Sequence, residues 1–449
     1  MKRRVVITGL GVLSAYGVGA GPLWAGLLSG VSALRKPTRF DPAGLPSQLW
    51  GEIPAFSAKD YLPKSYRKAV KVMARDIEIA VAAAKLAVDD ARLVTRATEG
   101  EEPPVPTYPT SRVGCQIGAG LINAETAELA SAMVTSRRSG ADAELLDKTG
   151  GWDTRAWGTI DPGDGSQMSG MGNLQPLWML KYLPNMLACH VTIIHGAEGP
   201  SNTHTCNEAS GLLSLGEAAR VIERHAADCC FAGSAESKAS VAGGVRLALA
   251  ERLALASESD DPRRVCVPFD PKSRGPLVGE GGGILVLEAA ESAAARGARV
   301  YARVLGFGAA QSLGEVIPPL HGPLGGEINE GLEDAIVAAL ADAGIDHSRI
   351  GAVVSQANGH PRFDSGEKAA LDRVFAGRSV PVVALAPFIG DCVAGNGGLQ
   401  AAVGAMILAN GRVPAVAAGA AGEQSKVEYV LVCSSSQGGQ NAALVLGAA

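Results

Sequence analysis

The stretch from Gly196 to Ala218, GAEGPSNTHTCNEASGLLSLGEA, joins an apolar, strand-like segment to a run of helical periodicity. A chain that carries it has to turn a helix back against a buried strand. Thr203–Cys206 reads as extended and buried, and Asn207 is placed to cap the helix after it. Gly211, Leu212, Leu215, Ala218, Ala219 and Ile222 recur at helical spacing, with charge on the other face. A side chain at such a junction faces free N–H groups and the positive end of the helix dipole, where negative charge is favoured. The residue there is Glu208.

The rest of the chain is built to bury a large core. It has 449 residues, 47% of them hydrophobic and 4% aromatic, and its 57 glycines suit close packing of helix on sheet. A formal charge of −5 argues against nucleic acid as a partner. No apolar run approaches the roughly 18 residues of a membrane span, and the glycine-broken start VVITGLGVLSAYG reads as a first buried strand and not as a signal peptide. A cytoplasmic protein is expected. The eight cysteines are scattered without metal-type spacing, so they read as reduced core thiols, and neither metal nor cofactor is expected.

Apolar positions Val70, Met73, Ile77, Val81, Ala84 and Val88 predict one long helix over 66–93, and a strand is expected at Val113–Gly118. Two polar segments, 95–109 and 139–173, read as surface insertions. The second embeds Trp152 and Trp157, which either pack on their own loop or contact a partner. A coarse repeat is also visible: Ala80–Leu93 followed by SRVGCQIGAG is matched by Leu332–Ala343 followed by SRIGAVVSQANG, and the Glu208 helix by GGLQAAVGAMIL from Gly397. Periodicity alone implies layered α/β structure.

Together, RRVVITGLGVLSAYGVG, LPNMLACHVTIIHGAEGP, the junction itself, VPFDPKSRGPLVGEGGGILVLEAAESAAARGARVYARV and SSSQGGQNAALVLG resemble the elongating β-ketoacyl-ACP synthases of the thiolase superfamily over nearly the whole chain. The resemblance implies a thiolase-like, duplicated five-layer αβαβα fold, with ketosynthase-like halves at 1–262 and 263–449. It also implies dimerisation through LPNMLACHVTIIHGAEGP, expected here as a strand. On this alignment the family's nucleophilic cysteine falls on Glu208. Its two histidines fall on Asn358, within Gln356-Ala357-Asn358-Gly359-His360-Pro361, and on Asp391, within Ala386-Pro387-Phe388-Ile389-Gly390-Asp391. Ala386 takes the place of the lysine, and Gln437 that of a phenylalanine that gates the acyl tunnel. Glu280, in the family's Gly-Glu-Gly, is expected to buttress backbone.

Decarboxylating condensation needs a thiol to carry the acyl chain and donors to stabilise an enolate. Glu208 and Asp391 are acceptors when ionised. The favoured expectation is therefore a non-condensing subunit that resembles the chain-length factors of aromatic polyketide synthases, paired with an active ketosynthase or with itself, and with an acyl carrier protein as a further partner. One alternative is a repurposed acid–base enzyme at Glu208, Asn358 and Asp391; another is an acyl-ACP-binding homodimer without catalysis. Cys206 with His360 is the outside catalytic candidate. A two-residue step along a strand moves Cys206 roughly 6–7 Å from the turn, so an inert cysteine beside a hydrogen-bonded His204 is the better reading. Two acids in one cavity are expected to share a proton or a bridging water.

Overall fold

The computed structural model describes residues 2–100, 104–136, 170–174, 177–312, 328–414, 417–418, 427–436 and 438–449. Its strands are β1 (Val5–Ser14), β2 (Gly17–Val18), β3 (Val113–Gly118), β4 (Ser201–His204), β5 (Cys229–Ser237), β6 (Glu280–Ala289), β7 (Ala302–Gln311), β8 (Ala352–Ser355), β9 (Val382–Ala384), β10 (Ala417–Ala418), β11 (Tyr429–Ser435) and β12 (Gln440–Gly447). All but β2 lie on one hydrogen-bonded path, β10-β9-β8-β11-β12-β7-β1-β6-β5-β3-β4, and β2 pairs with β1.

Strand periodicity divides the side chains of this path among three cores. Along β5, Cys230 and Ala232 enter a central core, while Cys229 and Phe231 enter an outer one. Along β11, Val430 and Val432 point to the same central core, and Leu431 and Cys433 to a second outer one. The central core is filled by Leu212 and Leu215 of the helix Ser210–Glu223 and by Leu399 and Val403 of the helix Asn396–Asn410. One outer core packs under helices Arg75–Asp90 and Met186–His195. The other packs under Glu330–Ala343 and Pro361–Val374. Three cores separate five layers, the αβαβα arrangement expected from the resemblance.

The repeat is visible in the pairing. In the first half β3 is parallel to β5, and in the second β8 is parallel to β11. The first sheet also draws β6 from beyond residue 262, where it pairs with both β1 and β5. The two central helices meet at their N-terminal ends, where a Cβ on Gly397 would lie 2.7 Å from the Gly211 Cα, and one on Gly211 would lie 2.8 Å from the Gly397 Cα. Only glycine at both places permits that crossing. It sets the turns ahead of the helices side by side.

Three sequence expectations change. The segment expected to be the dimer strand is the helix Met186–His195, closed by Gly196 in the left-handed region, and the edge strand is the later Ser201–His204. Its apolar residues are as compatible with a packed helix as with a strand, and periodicity could not separate them. That strand is exposed to half-buried, so Thr203–Cys206 is not the buried extension expected. The helix expected over 66–93 is two elements, a 3-10 stretch Lys64–Val72 and the helix Arg75–Asp90, separated by Met73 and Ala74 in extended conformation. The tryptophans of the 139–173 insertion and Gln437 lie outside the described residues.

Candidate functional site

Each central helix is entered through the same device. Asn207 has φ 47° and begins the 3-10 turn Asn207–Ala209; Val393 has φ 50° and begins the 3-10 turn Val393–Gly395. Four residues on, a side chain closes each turn: the Ser210 Oγ accepts from the Cys206 N–H at 2.8 Å, and the Asn396 Oδ1 from the Cys392 N–H at 2.9 Å. Asn207 therefore shapes the turn by its left-handed backbone and makes no side-chain cap, contrary to expectation. Glu208 sits in the first turn and Asp391 just before the second. The Gly211–Gly397 crossing brings the two within reach of one guanidinium.

That guanidinium belongs to Arg252. It donates from Nη2 to the Glu208 Oε1 and lies 3.8 Å from the Asp391 Oδ2. Asp391 is further held by the Asn358 Nδ2 at 2.8 Å, the Asn396 Nδ2 at 2.6 Å and the Val393 N–H at 2.9 Å. Glu208 is 0% exposed, Asn358 1%, Asp391 3% and Arg252 6%, so the group is closed off in the single chain. Burial opposes the charge of Arg252, but Glu208 and then Asp391 more than compensate and hold its pKa above the ordinary arginine value. Glu208, Asn358 and Asp391, the three positions that the sequence resemblance points to, are thus brought together. One cation, the Arg252 guanidinium, lies with both acids.

Arg252 is the residue that sequence reasoning missed. It follows the helix Val241–Leu249 through Glu251, whose φ of 55° reverses the chain and sends the next side chain inward. The available signal was one arginine between apolar stretches in LALAERLALAS, where Leu253 and Ala254 are also buried. A second buried pair lies nearby: the Lys238 Nζ donates to the Glu236 Oε1 and, at 2.6 Å, to the Leu121 carbonyl, while the Glu236 Oε2 accepts from the Ala394 N–H at 2.7 Å. Glu280 accepts from the Ile53 N–H at 3.0 Å, so it does hold backbone, but it also binds Arg39 at 2.7 Å and Arg75 at 2.8 Å.

The outside candidates stay outside the triad. Cys206 is half-buried, and burial pushes its thiol pKa up, away from the thiolate a nucleophile needs. His204 has its Nε2 3.4 Å from the Gln116 Oε1. His360 lies in the loop that caps the helix Pro361–Val374. It is 1% exposed, its N–H donates to the Asn358 Oδ1 at 3.1 Å, and its Nδ1 accepts from the Phe363 N–H at the start of Pro361–Val374. All eight cysteines are free. Among the described residues no group of acidic, histidine or cysteine side chains could hold a metal ion, and no helix is long and apolar enough to cross a membrane.

A duplicated sheet wrapped around two central helices, with facing turns at their N-termini, defines a thiolase-like ketosynthase fold. Residues 2–293 match the beta-ketoacyl synthase N-terminal domain and residues 326–419 the C-terminal domain, and the chain belongs to that family. It is 29% identical over 414 residues to the 3-oxoacyl-[acyl-carrier-protein] synthase 2 of Staphylococcus aureus (strain COL), covering 92% of this chain and 87% of the relative. The enzyme of that name from Vibrio cholerae is 28% identical over 416 residues, with 92% and 88% covered. Among solved structures, the ishigamide ketosynthase/chain length factor superposes with a TM-score of 0.76 at 27% identity, and a beta-ketoacyl synthase from Burkholderia phymatum with 0.73 at 26%. Both chains are covered completely in each case.

Proposed function

We propose that this protein is a non-condensing, chain-length-factor-like subunit of fatty-acid or polyketide synthesis that pairs with an active β-ketoacyl-ACP synthase. The observation that carries the reading is the engagement of Glu208 by Arg252. At the nucleophile's position stands a buried carboxyl already bound to a guanidinium, where condensation needs an accessible thiolate. Of the positions that would supply donors to an enolate, the Asn358 Nδ2 already donates to Asp391 and Ala386 has no ammonium to offer. The solved ketosynthase/chain length factor likeness supports the pairing, and the exposed edge of β4 gives a place for it.

Arg252 also weakens the repurposed acid–base reading. That reading needs a carboxyl free to exchange a proton with a substrate, and both acids are already engaged, Glu208 by Arg252 and Asp391 by Asn358, Asn396 and the Val393 N–H. Co-expression with an intact Cys-His-His ketosynthase encoded nearby is expected to give a one-to-one complex by native mass spectrometry. The protein alone, given acyl-ACP and malonyl-ACP, is expected to show no acyl adduct and no decarboxylation. A purely homodimeric protein beside every such candidate would overturn the pairing, and an adduct on Cys206 would overturn the non-condensing role.

A further inference from the structure

Away from the centre, the end of the helix Met186–His195 carries a buried donor beside a small cavity. The His195 imidazole is 4% exposed, and its ring stands 5.3 Å from that of Phe231. The Thr95 Oγ accepts the Ala97 N–H at 3.2 Å and lies 3.0 Å from the His195 Nδ1, so its hydroxyl proton goes to that nitrogen and the ring's own proton lies on Nε2. Burial, then the charges of Lys85 and Arg96, lowers the His195 pKa to about 3, and the ring stays neutral. The Nε2 is buried and lacks a hydrogen-bond partner among the described residues. A donor so placed costs its desolvation, which a bound acceptor removes.

The cavity selects the acceptor. His195 lines it with Leu93, Val113 and Phe231 and with Pro106, Thr107 and Tyr108 of the loop before β3. A water-sized sphere finds about 10 Å³ of free space there, roughly the room of one water. No side chain of the lining carries a charge, so an ion would be buried without a counter-charge beside it. A water can both accept and donate. The Thr107 Oγ accepts one N–H, from Val94 at 2.8 Å, and keeps a lone pair for a second donor. We propose that the cavity binds one water, which accepts the His195 Nε2–H and donates to the Thr107 hydroxyl oxygen, pinning the loop to the helix end. The site also has a place in the fold. The Arg96 N–H donates to the His195 carbonyl at 3.4 Å and the Glu198 N–H to the Thr110 carbonyl at 2.9 Å, so the two ends of the loop grip the segment 195–198, which runs into β4. The water fastens the middle of the loop to the same segment. None of this depends on the function proposed above.

A crystal structure of the full chain is expected to show one ordered water about 3 Å from the His195 Nε2. Spectra of the ¹⁵N-histidine-labelled protein are expected to show the Nε2–H tautomer, unchanged between about pH 5 and 8. His195→Leu removes the donor at similar bulk. It is expected to lose the water and to quicken amide exchange across 104–110 and 196–199 about tenfold. His195→Gln, which keeps a donor, is expected to restore slow exchange. A cavity without density, an organic molecule in place of the water, an Nδ1–H tautomer, or equal exchange in the wild type and His195→Leu overturns the inference. Should His195→Leu fail to fold, the density and the tautomer of the wild type decide it.

Discussion

Glu208 and Arg252 each lose a close partner when the other is changed, and breaking a buried ion pair from one side costs more than the pair contributes. Glu208→Gln keeps an acceptor but removes the nearer of the two carboxylates from Arg252, leaving Asp391 at 3.8 Å, and is expected to lower stability by about 2 kcal/mol. Arg252→Met leaves two carboxyl groups facing one another and is expected to cost about 3 kcal/mol or more. The double variant is expected to lose at least about 1 kcal/mol less than the sum, because each substitution removes the reason for the other's cost. Urea titrations of the four proteins measure this, and strict additivity would mean that the pair is not coupled. These magnitudes were out of reach of the sequence. The family motifs mark the positions of Glu208 and Asp391, but no motif marks Arg252, which arrives from a loop whose direction depends on a left-handed backbone at Glu251.

Where one element crosses or clamps another, single atoms decide stability. A methyl group on Gly397 would press on the backbone of Gly211 at 2.7 Å, and neither central helix has free space in which to move. Gly397→Ala is expected to cost about 3 kcal/mol in denaturant unfolding. The helix Pro361–Val374 has two fully buried acids on its first turns. Asp364 accepts from the N–H groups of Asn358, Gly359 and Phe269, and Glu367 accepts from the Ser355 hydroxyl at 2.6 Å. Burial raises both to about 7 against the hydrogen bonds they accept, and the charge of Glu367 adds to the rise at Asp364. An acid whose pKa is raised by folding holds its proton in the native state while the unfolded chain has already released it. The stability it contributes is therefore present below about pH 4 and is lost as pH rises to about 7. Asp364→Asn is expected to flatten that decline between pH 4 and 7, read from unfolding free energies across the range; an unchanged slope would place the titration elsewhere. Elements with full periodicity, such as the central helix at 397–408, were visible in the sequence. The helix at Met186–His195 was not, because an apolar segment of ten residues suits a buried helix and a buried strand equally.

For the whole molecule, the sheet ends at β4, with no further strand beside it among the described residues. The Pro200 and His204 carbonyls accept from the β3 side, so the alternating residues Ser201 and Thr203 direct their backbone outward. Exposed Leu121, Leu177 and Ile193 lie on segments adjoining β4, Leu121 just past the end of β3 and the other two on the stretch that leads into it. An unpaired edge with apolar neighbours is stable in solution when another chain completes it. Thr203→Pro removes an N–H that donates to the Asn202 Oδ1 at 2.8 Å and leaves the β3 bonds in place. It is expected to abolish the complex with a ketosynthase while far-ultraviolet circular dichroism stays unchanged, and a retained complex would move the interface away from β4. The Arg252 bridge also ties together both halves of the chain, because Glu208 precedes the first central helix and Asp391 the second. In evolutionary terms it works as a ratchet. Under the non-condensing function proposed above, a lineage that regained a cysteine at position 208 alone would take a close counter-charge from a buried guanidinium and still lack both histidines, so a single step back toward condensation would pass through a less stable and still inactive protein.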